Sequence, residues 1–169
     1  MGGFEMKQLQ VISRNVKVRE SKLSDGSFIY DVLIDDVPGG WDVKTPEQNL
    51  VREWVQVDGR PVVWETCQTF SGSWGYHRDE TSWKSVRQIL AILIETVGKG
   101  GNLILNVGPT GRGQFDLRAL DRLEGMGKWM KQHGRSIYGC TQAPDEFATP
   151  QNCLLTYNPK THRLYVALS

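Results

Sequence analysis

The chain has 169 residues, enough for one ordinary domain or a piece of a larger one. Twenty basic and 19 acidic side chains leave a formal net charge of +1, with 39% of residues hydrophobic and 23% charged. That balance supplies no positive field for nucleic acid or an anionic membrane surface, and no apolar run approaches the roughly 18 residues of a membrane span.

The first element in chain order is a strand over 11–18, from the alternation in "QVISRNVKV". A turn at 24–27, "SDGS", leads to a second strand over 28–34, "FIYDVLI". Residues 35–49 read as a long loop, because Pro38, Gly39, Gly40 and Pro46 interrupt any regular element. "VREWVQV" and "PVVWETC" flank Asp58-Gly59, a hairpin turn. Residues 62–64 are apolar without alternation, as in a short strand buried on both faces. Glu65 then stands at that strand's C-terminal end.

Ser82 reads as the cap of a helix whose apolar face holds Trp83, Val86, Ile89, Leu90, Leu93, Ile94 and Val97. Gly98, Gly100 and Gly101 end it, and "NLILNVG" is the next buried strand. A loop, "PTGRGQF", precedes a second helix over 116–133, with Leu117, Leu120, Leu123, Met126, Trp129 and Met130 on one side. "SIYGC" enters a further short strand. The order strand, helix, strand, helix, strand is that of a parallel α/β sheet, open or closed into a barrel. Catalytic groups in both architectures sit at the C-terminal ends of strands, where Glu65 and Asn106 are expected. After Cys140 the pattern changes to a β hairpin around Asn158, Pro159, Lys160 and Thr161, whose second strand runs toward Ser169.

"GKGGNLILNVGPTGRG" is glycine-rich but is no phosphate loop, since Gly98-Lys99-Gly100 precedes a strand rather than opening a helix. Cys67, Cys140 and Cys153 form no C-x-x-C pair, and His77, His133 and His162 show no ligand spacing, so neither a metal nor another cofactor is expected. No apolar stretch behind a basic start suggests a signal peptide. Eighteen glycines and six tryptophans fit tight loops around aromatic surfaces, either a sugar-stacking wall or indoles filling a core. Sugar hydrolysis needs two carboxyl groups. The candidates are Glu47, in a proline-containing loop, and Glu65, which is equally readable as a buried brace.

"DVKTPEQ", "WETCQTFSGSWGYHRDE", "LIETVGKGGNLILNVGPTGRG" and "LEGMGKWMKQHGRSIYGC" occur in that order at matching spacings. Together they resemble the retaining α-L-fucosidases of glycoside hydrolase family 29, over residues 41–169. The resemblance implies a partial (β/α)8 TIM-like barrel, its late strands and helices at 1–140. The first hairpin of a C-terminal antiparallel β-sandwich would follow at 141–169. It implies a fucosylated oligosaccharide or glycoconjugate as substrate, and a secreted, periplasmic or lysosome-like parent protein. It matches the acid/base to Glu47 in one branch and Glu65 in another; the intact Thr45-Pro46-Glu47 loop favours Glu47. Trp41, Trp74 and Tyr76 are the implied sugar-contacting residues.

Two departures accompany the resemblance. No Trp-x-Asp context for the family's nucleophile occurs, and Ile34-Asp35-Asp36-Val37 carries no arginine where the family often shows Asn-Asp-Arg. Residues 1–34 match poorly. The expectation is therefore a chain without its nucleophile, inactive by itself. The competing reading is a non-catalytic carbohydrate-binding or structural remnant of the same fold.

Overall fold

The structure is a computed structural model that describes residues 16–22, 28–34, 43–46 and 48–168. It falls into two compact units, Met1–Asp42 and Val43–Ser169. In the first unit, β1 (Val16–Lys22) and β2 (Phe28–Ile34) pair antiparallel, Val16 opposite Ile34 and Lys22 opposite Phe28. The strand over 28–34 is as expected. The earlier strand continues to Lys22, past its expected end at 18, and residues 11–15 and the turn at 24–27 lie outside the described residues.

The second unit opens with β3 (Gln56–Val57) and β4 (Arg60–Pro61), a short antiparallel hairpin. Asp58 and Gly59 both have positive φ, 50° and 71°, the backbone of a tight turn matched to strand twist. The next strand corrects the sequence reading. β5 is Glu65–Thr69, not 62–64, so Glu65 opens the strand instead of closing it. The buried positions of β5 are Thr66, Gln68 and Thr69, which hide the strand from a hydrophobicity pattern. Their polar atoms are satisfied locally: Thr66 donates to the Asn49 carbonyl at 3.0 Å, Gln68 donates to Thr66, and Thr69 donates to the Ser71 carbonyl.

β5 pairs parallel with β6 (Asn102–Asn106), Glu65 opposite Asn102 and Thr69 opposite Asn106. On its other edge, β5 bonds to the segment 44–48, where a loop was expected. Glu65 N–H donates to the Lys44 carbonyl (2.9 Å), Cys67 N–H to the Pro46 carbonyl (3.3 Å) and Gln48 N–H to the Cys67 carbonyl (2.8 Å). The Lys44–Trp64 bridge there is parallel. Pro46, and Gln48 at φ 50°, mask this segment from sequence patterns.

Helix α1 (Val86–Gly98) links β5 to β6. Its cap is Ser85, not Ser82: the Ser85 hydroxyl accepts from the Gln88 N–H, and the Gln88 side chain accepts from the Ser85 N–H, a reciprocal capping box. Helix α2 (Leu117–His133) begins where expected, with Asp116 as cap. Ile94 and Val97 of α1 and Ile137 form a buried cluster, covered by Leu93, Trp129, Met130, Cys140, Leu154 and Ala167. Only part of the expected apolar side of α2 is covered, and Leu117 is 81% exposed. The strand expected at 136–140 is absent. A 3-10 turn, Gly134–Ser136, and Gly139 at φ 71° turn the chain there instead. The hairpin β7 (Cys153–Asn158) and β8 (Arg163–Leu168) then packs on α1, whose Gly98 lies against the Leu155 carbonyl.

The glycines after α1 seat two indoles. Trp64 is fully buried and its Nε1–H donates to the Lys99 carbonyl at 3.1 Å. A Cβ at Gly101 would overlap the Trp64 ring, and one at Gly100 (φ 74°) would overlap Trp54. Gly101→Ala is expected to cost about 1–3 kcal/mol by overpacking, read as a lower urea midpoint. Gly127→Ala in α2, where a Cβ meets nothing within 4 Å, should hold or gain up to about 1 kcal/mol from helix propensity.

Candidate active site

The C-terminal ends of β5 and β6 carry the loops 70–85 and 107–116. Asn106 closes β6, and its Nδ2 donates to the Trp74 carbonyl at 2.6 Å. Two residues on, Gly108 lies flat against the next peptide: a Cβ there would sit 2.5 Å from the Tyr76 amide nitrogen and overlap Gly75. The end of β6 therefore grips the backbone of Trp74, Gly75 and Tyr76, through the Asn106 side chain and the close approach of Gly108, and leaves both aromatic residues partly exposed. Trp74 is 42% exposed and Tyr76 41%, an apolar pair facing solvent at a strand end. Beneath the loop, a cavity of about 20 Å3 bordered by Phe70, Ser73, Asn106 and Ala119 has room for a single water.

Two sets of contacts close this loop on itself. Glu80 Oε1 accepts from the Ser82 N–H (2.8 Å) and hydroxyl (2.7 Å), and Oε2 accepts from the Ser73 hydroxyl (2.9 Å). The Ser82 oxygen in turn accepts from the Gly72 N–H at 3.0 Å. On the side toward α2, Arg118 and Arg122 lie over the Trp83 ring at 4.7 and 5.4 Å. Arg118 also donates to the Glu80 and Arg78 carbonyls (2.9 and 3.0 Å) and pairs with Asp116 at 2.8 Å. Half-buried Lys84 donates to the Thr69 carbonyl at 2.8 Å, and burial lowers its pKa.

These contacts set the electrostatics. The Ser82 hydroxyl and N–H and then the Ser73 hydroxyl hold Glu80 at a pKa of about 2, from an ordinary 4.5. The Arg118 guanidinium, then the Arg118 N–H, hold Asp116 at about 2, from 3.8. Both pKa values are depressed on folding, so the stabilisation is complete above about pH 4.5 and is lost as pH falls toward 2. Amide exchange over residues 72–82, corrected for intrinsic chemistry, should be flat above that pH and accelerate below it. A carboxylate with these donors is a weak base, so Glu80 is unsuited to proton transfer.

The five residues singled out in the sequence do not all meet. Trp74 and Tyr76 share the loop at the C-terminal end of β5 and β6. Glu65 sits at the opposite end of β5, four residues and about 13 Å below Thr69. Half-exposed there, it accepts from the Thr45 hydroxyl at 3.2 Å. Trp41 and Glu47 lie outside the described residues, although Pro46 and Gln48 both bond the Cys67 backbone. Sequence reasoning missed Glu80, Ser73, Arg118 and Gly108. Two arginines at i and i+4 opening α2 were a readable signal for a fastened neighbour; the Ser73–Glu80 link had none.

Fold and site together define a mixed α/β protein with an aromatic loop mounted at the C-terminal ends of parallel strands. The sequence model of the alpha-L-fucosidase family matches residues 5–135, and the chain belongs to that family. The match takes in residues 5–34, where no motif of the resemblance was found. Plasma alpha-L-fucosidase of Pongo abelii is 36% identical over 110 residues, 62% of this chain and 23% of that protein. Among solved structures, alpha-L-fucosidase isoenzyme 1 from Paenibacillus thiaminolyticus aligns with a TM-score of 0.65 at 38% identity, covering 69% of this chain and 28% of that one. Thermotoga maritima alpha-fucosidase in complex with fucose aligns at 0.60 and 30% identity, covering 76% and 28%. The chain spans about a quarter of the length of these relatives.

Proposed function

We propose that this chain is the later part of the catalytic domain of a retaining α-L-fucosidase, acting on fucosylated oligosaccharides or glycoconjugates. In this reading, residues 1–140 are late strands and helices of a (β/α)8 barrel, and 141–169 open a β-sandwich. The observation that carries it is the Trp74–Gly75–Tyr76 segment, fixed by Asn106 and Gly108 at C-terminal strand ends. That is where such a barrel keeps its substrate. Exposed indole and phenol rings there suit the apolar C–H face of a sugar.

Retention takes two carboxyl groups about 5 Å apart, one a nucleophile and one an acid that later acts as base. Glu47 is the acid/base: it protonates the departing oxygen, then takes a proton from the water that frees fucose. Two observations support Glu47 over Glu65. Pro46 and Gln48, on either side of it, bond Cys67 in the middle of β5, whereas Glu65 starts that strand and accepts from Thr45. Glu65 braces the 44–48 segment. The nucleophile is an aspartate supplied by residues beyond this chain. The test is a chimera joining the chain to the remainder of a relative's catalytic domain. It should hydrolyse an aryl α-L-fucoside; a folded chimera that binds fucose without turnover would support a non-catalytic binding role instead.

A further inference from the structure

We propose that Glu80 is the positioning residue of the Trp74 wall, its carboxylate bridging Ser73 and Ser82 so that the indole is presented in one orientation before any sugar arrives. The inference rests on the reading of Trp74 as a sugar-contacting residue, but its geometry stands apart from that reading. Trp74 is held on both sides. Its carbonyl accepts from Asn106, and Ser73, immediately before it, donates to Glu80 at 2.9 Å. Glu80 is anchored in turn at Ser82, whose hydroxyl also accepts from the Gly72 N–H. The bridge spans residues 72–82 with one side chain and leaves no slack at Ser73.

The space for this closure is tight. A Cβ at Gly72 would sit 2.8 Å from the Ser82 oxygen, so a side chain there would have to displace the hydroxyl that holds Glu80. A second anchor keeps the bridge in place, because Arg118 and the Trp83 indole both donate to the Glu80 carbonyl, at 2.9 and 3.1 Å. Glu80 thus has its backbone fixed to α2 and its side chain fixed to the loop. Both carboxylate oxygens are engaged within the protein, which commits Glu80 to holding the loop. Preorganising a recognition surface in this way removes the ordering cost otherwise met on binding.

The test uses the 169-residue chain carrying 5-fluorotryptophan, with Trp74→Phe assigning the Trp74 fluorine resonance among six. Wild type should give one sharp Trp74 line. Glu80→Ala and Ser73→Ala should each shift or broaden that line while those of Trp54, Trp64 and Trp129 hold. Amide exchange at Trp74 and Gly75 should quicken about tenfold, as for loss of one hydrogen bond to a charged group. Glu80→Gln, which keeps an acceptor, should restore most of the line shape. If Glu80→Ala disturbs all six lines, Ser73→Ala decides, since it removes only the link beside Trp74. An unmoved Trp74 line in Ser73→Ala overturns the proposal. Repeating the measurement in the chimera with α-L-fucose added separates the two claims: a Trp74 line sensitive to Glu80 but blind to fucose leaves the positioning role standing and removes the sugar-wall reading.

Discussion

Glu47→Gln, placed in the chimeric enzyme, should lower kcat/KM for a fucoside with a poor leaving group by about 10²–10⁴, the usual contribution of a positioned general acid. An activated aryl fucoside should suffer less in the first step, because a good leaving group departs without a proton. Glu65→Gln keeps an acceptor for the Thr45 hydroxyl, so it should leave turnover within a few-fold and stability within about 0.5 kcal/mol. The contrast follows from strand direction. Glu65 opposes Asn102, while the loop that carries Trp74 hangs from the other end of the pair, beyond Thr69 and Asn106. A Glu65→Gln enzyme that is dead beside an active Glu47→Gln enzyme would reverse the assignment.

The second large effect is expected at a residue without a side chain. Gly108→Ala puts a methyl 2.5 Å from the Tyr76 amide nitrogen and into Gly75, and backbone atoms cannot rotate away. The loop must lift from β6, which breaks the bond between Asn106 and the Trp74 carbonyl and moves both rings. A displacement of about 1 Å at a substrate-positioning group costs on the order of 10²-fold in rate. The variant should lose that much in the chimera while its urea midpoint falls by no more than overpacking explains, about 1–3 kcal/mol. Gly111→Ala, where a Cβ meets nothing within 4 Å, should behave as wild type. Full activity in Gly108→Ala would mean that the seat of the loop on β6 is irrelevant to the site.

The elements legible in the sequence were those with a regular apolar pattern or a turn signal. The run over 28–34, helix α2 and the hairpin of β7 and β8 follow from periodicity and turn residues alone. β5 was legible only as a neighbourhood, because its inward residues are Thr66, Gln68 and Thr69, satisfied by loop groups that no pattern reveals. Misplacing that strand by three residues moved Glu65 from one end of the sheet to the other, which is the difference between a catalytic and a bracing carboxylate. The cap of α1 was misread for a related reason: Ser82 and Ser85 are equally good caps by type, but the Ser82 hydroxyl is committed to Glu80 and Gly72. The glycine-rich stretch 98–108 was recognisable as no phosphate loop. Its purpose, seating Trp54, Trp64 and the Trp74 loop, depends on contacts across the chain.

The most direct test of the central claim is the anomer first released. The chimera is given an aryl α-L-fucoside and followed by proton NMR from the first minutes. A retaining fucosidase built around Glu47 and this aromatic wall predicts α-L-fucose as the first product, with the β anomer growing only through mutarotation. β-L-fucose appearing first, or no fucose released by a folded chimera, would contradict the account.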